Sequence, residues 1–151
     1  MDTFQNLDGI LAFAIDNEQE AVDFYNNLAA QATHEEMKSI FSQFAQEEMG
    51  HKARLLKIKE TGSSDLKIEN VTDLKIADYS VPAKPTPGMS YQDALILAMR
   101  KEKAAFKLYI TLSEKAGSAE MKELFKALAV EESKHKLRFE LEYDENVLKE
   151  N

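Results

Sequence analysis

The sequence lacks cysteine and tryptophan, and it has only three prolines in 151 residues. Without cysteine there are no disulfides, thiolate-bound metals, iron–sulfur clusters or cysteine nucleophiles. The longest early apolar run, residues 9–15, is far shorter than the roughly 20 residues of a membrane-spanning helix. Basic residues number 19 against 27 acidic ones, a net charge of −8 without a basic cluster. We therefore expect no membrane and no nucleic-acid partner, and, since no secretory signal is visible, a cytoplasmic protein.

The chain has the length of one domain, residues 1–151, with a central break. All three prolines lie within residues 61–90, which we interpret as a linker containing at most one short element. On both sides of it Ala, Leu, Glu, Lys and Met dominate, with the 3.6-residue periodicity of helices.

The two sides of the linker are copies of each other. Residues 11–55, placed without gaps on residues 95–139, agree at 17 of 45 positions, which indicates an internal duplication. In the first helix the identities alternate in steps of three and four, which marks one helix face. The shared face consists of Leu11, Ala14, Glu18, Ala21, Tyr25, Leu28 and Ala32, and of Leu95, Ala98, Glu102, Ala105, Tyr109, Leu112 and Ala116.

Each half breaks once more, near Thr33 in the first half and Gly117 in the second. Thr33 and Glu36 have the spacing of a capping box, and Ser90 is a candidate cap for the third helix. The pattern predicts helices at about 4–32, 34–60, 91–116 and 119–147. The predicted fold is all-α: a ferritin-like four-helix bundle of two antiparallel hairpins joined by a long crossover.

The second and fourth helices have matching inward faces, which include Phe41, Phe44 and Leu55, and Phe125, Leu128 and Phe139. Six ionisable residues occupy positions on these four faces that otherwise hold Leu, Phe and Ala. In each hairpin the two glutamates lie equally far from the bend, since (18+48)/2 = 33 and (102+132)/2 = 117, and therefore at one height. Each histidine follows a glutamate by three residues, one turn along the same face. The six are Glu18, Glu48, His51, Glu102, Glu132 and His135.

Four buried carboxylates require counter-charge. Each would cost several kcal/mol if left unpaired, and together they would exceed the stability of a typical domain, about 5–15 kcal/mol. Two divalent cations would neutralise them, each with one imidazole ligand. Oxygen-rich coordination with histidine favours iron or manganese over zinc.

Two tyrosines and one further histidine leave alternatives open. Tyr25 and Tyr109 follow the first- and third-helix glutamates by seven residues. Each is interpreted either as a phenol that hydrogen-bonds a ligand carboxylate or as core filler. His34, in the predicted turn, is expected at the surface.

At these residues the chain resembles the rubrerythrin-like branch of the ferritin-like superfamily. The matching stretches are Asn17–Ala21 with Phe24-Tyr25, Glu47–His51, Lys101–Lys103 with Tyr109, and Val130–His135. The resemblance implies a non-haem di-iron protein that reduces peroxide, with the six residues as iron ligands. Rubrerythrins usually append a rubredoxin-type iron site, which a chain without cysteine cannot form. They also carry an extra glutamate where this chain has Ala105, so the predicted centre is symmetric, like that of bacterioferritins.

The leading hypothesis is an oxidoreductase that reduces hydrogen peroxide or dioxygen at two iron ions, with manganese or zinc as alternative metals. It would use a separate redox donor, such as a rubredoxin-type protein, and we expect a homodimer. The second hypothesis is a ferroxidase that stores or delivers iron. The third is a non-catalytic structural bundle, with or without metal.

Overall fold

The computed structural model describes residues 2–61, 71–86 and 88–150, with side chains as far as residue 146. Four long helices account for most of this part of the chain: α1 (Leu7–Gln31), α2 (Glu35–Thr61), α3 (Tyr91–Lys115) and α4 (Ala119–Glu150). A 3-10 helix, Ile76–Tyr79, is the short element of the predicted linker. The linker residues 62–70 and Pro87 lie outside the described residues.

The helices pack in sequential pairs, α1 with α2 and α3 with α4. Each pair is joined by a short turn and is therefore an antiparallel hairpin. The chain divides into two compact units: the first contains residues 4–61, and the second contains residues 2–3 and 71–150. We call α1 with α2 the first hairpin, and α3 with α4 the second hairpin.

Both helices of the first hairpin begin slightly later than the sequence predicts. α1 begins at Leu7 rather than near residue 4, because the Asn6 side chain accepts a hydrogen bond from the Gly9 N–H at 2.8 Å and caps the helix. α2 begins at Glu35, and the His34 carbonyl accepts the hydrogen bond from the Lys38 N–H at 3.0 Å. His34 therefore occupies the cap position that the capping-box pattern assigned to Thr33.

The second hairpin is capped by serines at both helix starts. The Ser90 hydroxyl accepts from the Asp93 N–H at 3.1 Å, so the predicted Ser90 cap is confirmed. The Ser118 hydroxyl accepts from the Met121 N–H at 3.2 Å and opens α4. These bonds satisfy N–H groups that have no partner inside the helix.

The two bends have the same backbone conformation at the residue that ends the first helix of each pair. Ala32 has φ −64° and ψ 138°, and Ala116 has φ −64° and ψ 136°. Both residues are buried, and they are 84 positions apart, the period of the duplication (116 − 32 = 84). The internal repeat is thus visible in the backbone as well as in the sequence.

The described linker residues after position 70 belong to the second unit. Thr3 forms an antiparallel bridge with Lys75, and the Ile76 N–H donates to the Asp2 carbonyl at 3.1 Å. Tyr79, at the end of the 3-10 helix, is buried, and its hydroxyl lies 3.3 Å from the Thr111 hydroxyl on α3. Residues 2–3 and the 3-10 helix therefore both pack within the second unit, which contains α3.

The core follows the face that the repeat predicts. The largest fully buried side chains include counterparts from both hairpins: Leu11 and Leu95, Tyr25 and Tyr109, Leu28 and Leu112, Phe41 and Phe125, and Leu55 and Phe139. Within the part of the chain that the structure describes, no helix is both long and apolar enough to cross a membrane.

Candidate metal centre

All six ionisable residues singled out in the sequence are buried. Their side chains are among the least accessible polar groups of the described residues, with exposed fractions of 1–2% for Glu18, Glu48, His51, Glu102, Glu132 and His135. Carboxylates are almost never buried to this extent unless they are paired or bind a cation. Their burial therefore calls for a chemical explanation.

The first hairpin gathers three of these side chains. Glu18 comes from α1, whereas Glu48 and His51 come from successive turns of α2. The Nδ1 atom of His51 lies 3.6 Å from an oxygen of Glu18 and 3.3 Å from an oxygen of Glu48. One donor atom from each of the three residues lies within 4.8 Å of the other two. We call these three residues the first donor set.

The second hairpin repeats the arrangement with Glu102 from α3 and with Glu132 and His135 from α4. The Nδ1 atom of His135 lies 3.6 Å from an oxygen of Glu102. Again, one donor atom from each residue lies within 4.8 Å of the other two. These three residues form the second donor set.

The composition and spacing of each set suit a divalent cation. Two carboxylate oxygens and one imidazole nitrogen are ligands that iron, manganese and zinc all accept in proteins. Ligand atoms about 2.1 Å from one metal ion, at tetrahedral or octahedral angles, lie about 3.0–3.4 Å apart. The nitrogen–oxygen distances of 3.3 and 3.6 Å in the first set are close to this separation. Each buried Glu/His cluster is therefore able to bind a metal ion.

The remaining predicted site residues divide by burial. Tyr25 and Tyr109 are 0% and 1% exposed and lie on the same helices as Glu18 and Glu102. Their predicted role as hydrogen-bond partners of the ligands stays a prediction. His34 is exposed in the turn before α2, as expected, and belongs to neither donor set.

A fifth buried glutamate, Glu142, was not predicted. It is 5% exposed, and it accepts a hydrogen bond from the Tyr91 hydroxyl at 2.9 Å. Burial, together with the hydrogen bond to this carboxylate, raises the pKa of the Tyr91 phenol. The burial of Glu142 could have been predicted from helical periodicity, because residue 142 lies seven positions after His135 and therefore on the same face of α4.

A polar link across the first hairpin was also not predicted. The Lys52 ammonium donates a hydrogen bond to the Gln19 side-chain oxygen at 2.6 Å, and the Gln19 amide nitrogen donates to Asp23 at 3.0 Å. Residue 52 follows His51, and residue 19 follows Glu18. The link therefore joins α2 to α1 beside the first donor set.

Comparisons with solved structures identify the fold. The chain is similar to a Thermotoga maritima protein assigned to the ferritin-like diiron-carboxylate proteins, with 21% identity and a TM-score of 0.80, covering 97% of this chain and 99% of that one. It is also similar to a hypothetical protein from Pyrococcus furiosus, with 26% identity and a TM-score of 0.70, covering 93% of this chain and 89% of that one. The predicted fold class, all-α and ferritin-like with two antiparallel hairpins, is confirmed.

The family follows from the sequence as a whole. The family model of rubrerythrin matches residues 9–143, nearly the entire chain. No curated protein matches the sequence. The chain belongs to the rubrerythrin family, and the resemblance found in its ligand motifs is confirmed.

Proposed function

We propose that the protein is a non-haem di-iron oxidoreductase of rubrerythrin type that reduces hydrogen peroxide or dioxygen. The observation that carries this proposal is the duplicated set of two buried carboxylates and one buried imidazole, one set in each hairpin. Membership of the rubrerythrin family supports iron as the metal, as does the likeness to a protein assigned to the diiron-carboxylate proteins.

The two donor sets together would hold two cations, one imidazole to each. Four ionised carboxylates carry a charge of −4 and two divalent ions carry +4, so the pair of ions neutralises the acid groups. Neither set contains a thiolate, and the chain has no cysteine. Oxygen-rich coordination of this kind suits iron or manganese, whereas structural zinc prefers closed sites rich in Cys and His.

Iron at this site would supply the reversible one-electron steps that the protein side chains cannot provide. The carboxylates would supply negative charge, and their binding mode can change when the charge of the metal ion changes. The histidines supply a neutral nitrogen each. Burial of all six side chains keeps bulk water away from the reacting atoms.

The proposed reaction requires an external reductant. Hydrogen peroxide takes up two electrons and two protons to give two molecules of water. Because the chain contains no cysteine, it has no rubredoxin-type site of its own. A separate one-electron carrier, such as a rubredoxin-type protein, would therefore deliver both electrons in successive encounters.

A second candidate function, ferroxidase activity coupled to iron storage or delivery, is favoured by the symmetry of the donor sets. Both sets consist of two glutamates and one histidine, and Ala21 and Ala105 occupy corresponding positions one turn after Glu18 and Glu102. Storage requires a shell of many subunits, whereas the proposed enzyme is expected to be a homodimer. The mass of the iron-loaded protein in solution distinguishes the two.

The test begins with the metal content of the purified protein and continues with anaerobic loading of the apo-protein with ferrous ion. We expect two ferrous ions per chain to bind and to be oxidised rapidly when peroxide is added, and a reduced carrier to return them to the ferrous state over many cycles. Glu48→Gln should lower the bound iron and slow its oxidation. The matched control is Glu36→Gln, which changes an exposed glutamate of the same helix.

Histidine variants test the assignment of one imidazole to each ion. His51→Asn and His135→Asn should each lower iron binding by more than about 100-fold at one of the two sites. His34→Asn alters the exposed histidine and should change nothing. Protein that contains no metal, takes up none and keeps its thermal stability in chelator would instead be a structural bundle, and the proposal would be wrong.

A further inference from the structure

We propose that the two metal positions are unequal and fill in order, with the first donor set binding the first ion. The inference rests on the proposed function, since it assumes that both sets hold metal. It is carried by the hydrogen bond between Lys52 and Gln19, which we assign as a positioning contact for the first donor set.

The contact joins the two helices that supply the first set. Lys52 is next to His51 on α2, and Gln19 is next to Glu18 on α1. The ammonium group lies 2.6 Å from the amide oxygen, which is the short distance of a charge-assisted hydrogen bond. Asp23 accepts from the amide nitrogen of Gln19 at 3.0 Å and thereby fixes the amide with its oxygen toward Lys52.

The second hairpin cannot form the same contact. Its residue corresponding to Gln19 is Lys103, and the residue corresponding to Lys52 is Lys136, so that two ammonium groups replace a donor and an acceptor. Lys136 donates instead to Glu140 at 2.7 Å, one turn further along α4. That bond ties one turn of α4 to the next and leaves α3 out.

The consequence for metal binding is a difference in preorganisation. A cation must fix the carboxylate of one helix against the carboxylate and imidazole of the other, and any freedom between the helices reduces its affinity. In the first hairpin a polar link already holds the two backbones together beside the ligands. Outer contacts that orient ligands typically change metal affinity by 10–100-fold. Because this link is only partly buried, we expect about tenfold, the lower end of that range.

The experiment is a stepwise titration of the full-length apo-protein with cobalt(II), followed by its visible absorption and by competition with a chromophoric chelator. We expect two binding steps whose affinities differ by about tenfold beyond the statistical factor for two identical sites. Lys52→Met should weaken the first step about tenfold. Lys136→Met, the matched control on α4, should leave both steps unchanged.

Two further variants separate positioning from general damage to the fold. Lys52→Arg keeps a donor of sufficient length and should retain the stronger first step. Lys103→Gln gives the second hairpin the acceptor that it lacks and should strengthen the second step, bringing the two affinities together. A gain in affinity cannot come from unfolding.

The outcomes distinguish this inference from the function on which it rests. If two ions bind to the wild type with affinities that differ only by the statistical factor, the ordered loading is wrong and metal binding by both sets stands. If the two steps differ but Lys52→Met and Lys136→Met behave alike, the assignment of the stronger step to the first donor set is wrong. If Lys103→Gln leaves the second step unchanged, the role of the polar link is also wrong. If the wild-type protein binds no cobalt and no iron, both proposals are overturned.

Discussion

The two hairpins share their donor residues and many of the buried residues around them, but they differ at other buried positions. The buried residues Leu28 and Leu112, Phe41 and Phe125, and the six donor residues recur at the same positions 84 residues apart. The lengths of α1 and α3 are also equal, at 25 residues each. The shared buried positions include those that place two glutamates and one histidine at one height in each hairpin. Other buried positions tolerate a change, as Leu55 and Phe139 show.

The clearest divergence lies near the start of α3 and the end of α4. There the second hairpin has the hydrogen-bonded pair Tyr91 and Glu142. The corresponding residues of the first hairpin are Leu7 and Ile58, both apolar. One hairpin therefore has a polar pair where its copy has none, at the cost of a buried carboxylate.

The largest expected effect comes from the shared core. Phe41→Ala and Phe125→Ala each remove a ring with 0% exposure, and each should lower the free energy of unfolding by about 3–5 kcal/mol. Denaturant titration of the apo-protein measures this change in the free energy of unfolding. Phe106→Ala, which changes a ring with 37% exposure, is the control and should cost much less. A large difference between the two variants would show that the two hairpins do not depend equally on their buried phenylalanines.

Removal of metal should come next in size. A ligand that binds only the folded state at 100 times its dissociation constant stabilises that state by about 2.7 kcal/mol. Dialysis against a chelator should therefore lower the melting temperature, and added ferrous ion should restore it. In Glu48→Gln the shift on chelation should shrink, whereas Glu36→Gln should retain it. An identical melting temperature with and without chelator would contradict metal binding in both hairpins.

The Tyr91–Glu142 pair should have an intermediate effect. Tyr91→Phe leaves the buried Glu142 without its phenolic donor and should cost about 1–3 kcal/mol. The double variant Tyr91→Leu with Glu142→Ile introduces the residues of the first hairpin and should recover most of that loss. Denaturant titration of the three proteins checks both statements. If the double variant does not recover stability, the apolar residues of the first hairpin cannot replace the Tyr91–Glu142 pair in the second hairpin.

The same pair predicts a pH dependence. The pKa of Tyr91 is raised in the folded protein, so the fold favours the neutral phenol. Its contribution to stability is complete below the ordinary tyrosine pKa of about 10 and decreases as the pH rises beyond it. The wild type should therefore lose more stability above about pH 10 than Tyr91→Phe does. Parallel losses in the two proteins would contradict a coupled phenol.

The smallest effect should come from the helix caps. Ser90→Ala and Ser118→Ala each remove a side-chain acceptor for a backbone N–H and should cost about 1 kcal/mol. Asn6→Ala tests the corresponding cap of the first hairpin and should cost a similar amount. Melting temperatures measured side by side give the ranking. A cap variant that costs as much as Phe41→Ala would contradict the predicted order.

The sequence predicted the features that depend on periodicity and counting. The repeat indicated which faces of the helices point inward. Equal sequence distances from the bend indicated that Glu18 and Glu48 lie at one height, and both carboxylates do lie within 3.6 Å of the His51 Nδ1 atom. The predicted start of α1 near residue 4 is too early: Phe4 precedes the helix, although it is buried and its ring packs edge-on against Phe13. Local capping by Asn6 decided the boundary instead.

The side-chain contacts between helices could not be predicted in the same way. The link from Lys52 to Gln19 depends on the rotamers of two long side chains, which helical periodicity does not determine. Glu142 lies on the inward face of α4, but its pairing with Tyr91 joins residues 51 positions apart, for which a single sequence gives no signal. These contacts distinguish the hairpins, and they became visible only in three dimensions.

The matching bends at Ala32 and Ala116 have a consequence for the history of the chain. Each hairpin carries two glutamates and one histidine around its own bend, so one hairpin alone contains a complete donor set. As long as both copies of a duplicated segment are identical, every position carries the same residue in both. Two copies in one polypeptide can change separately, and position 19 (Gln) now differs from position 103 (Lys).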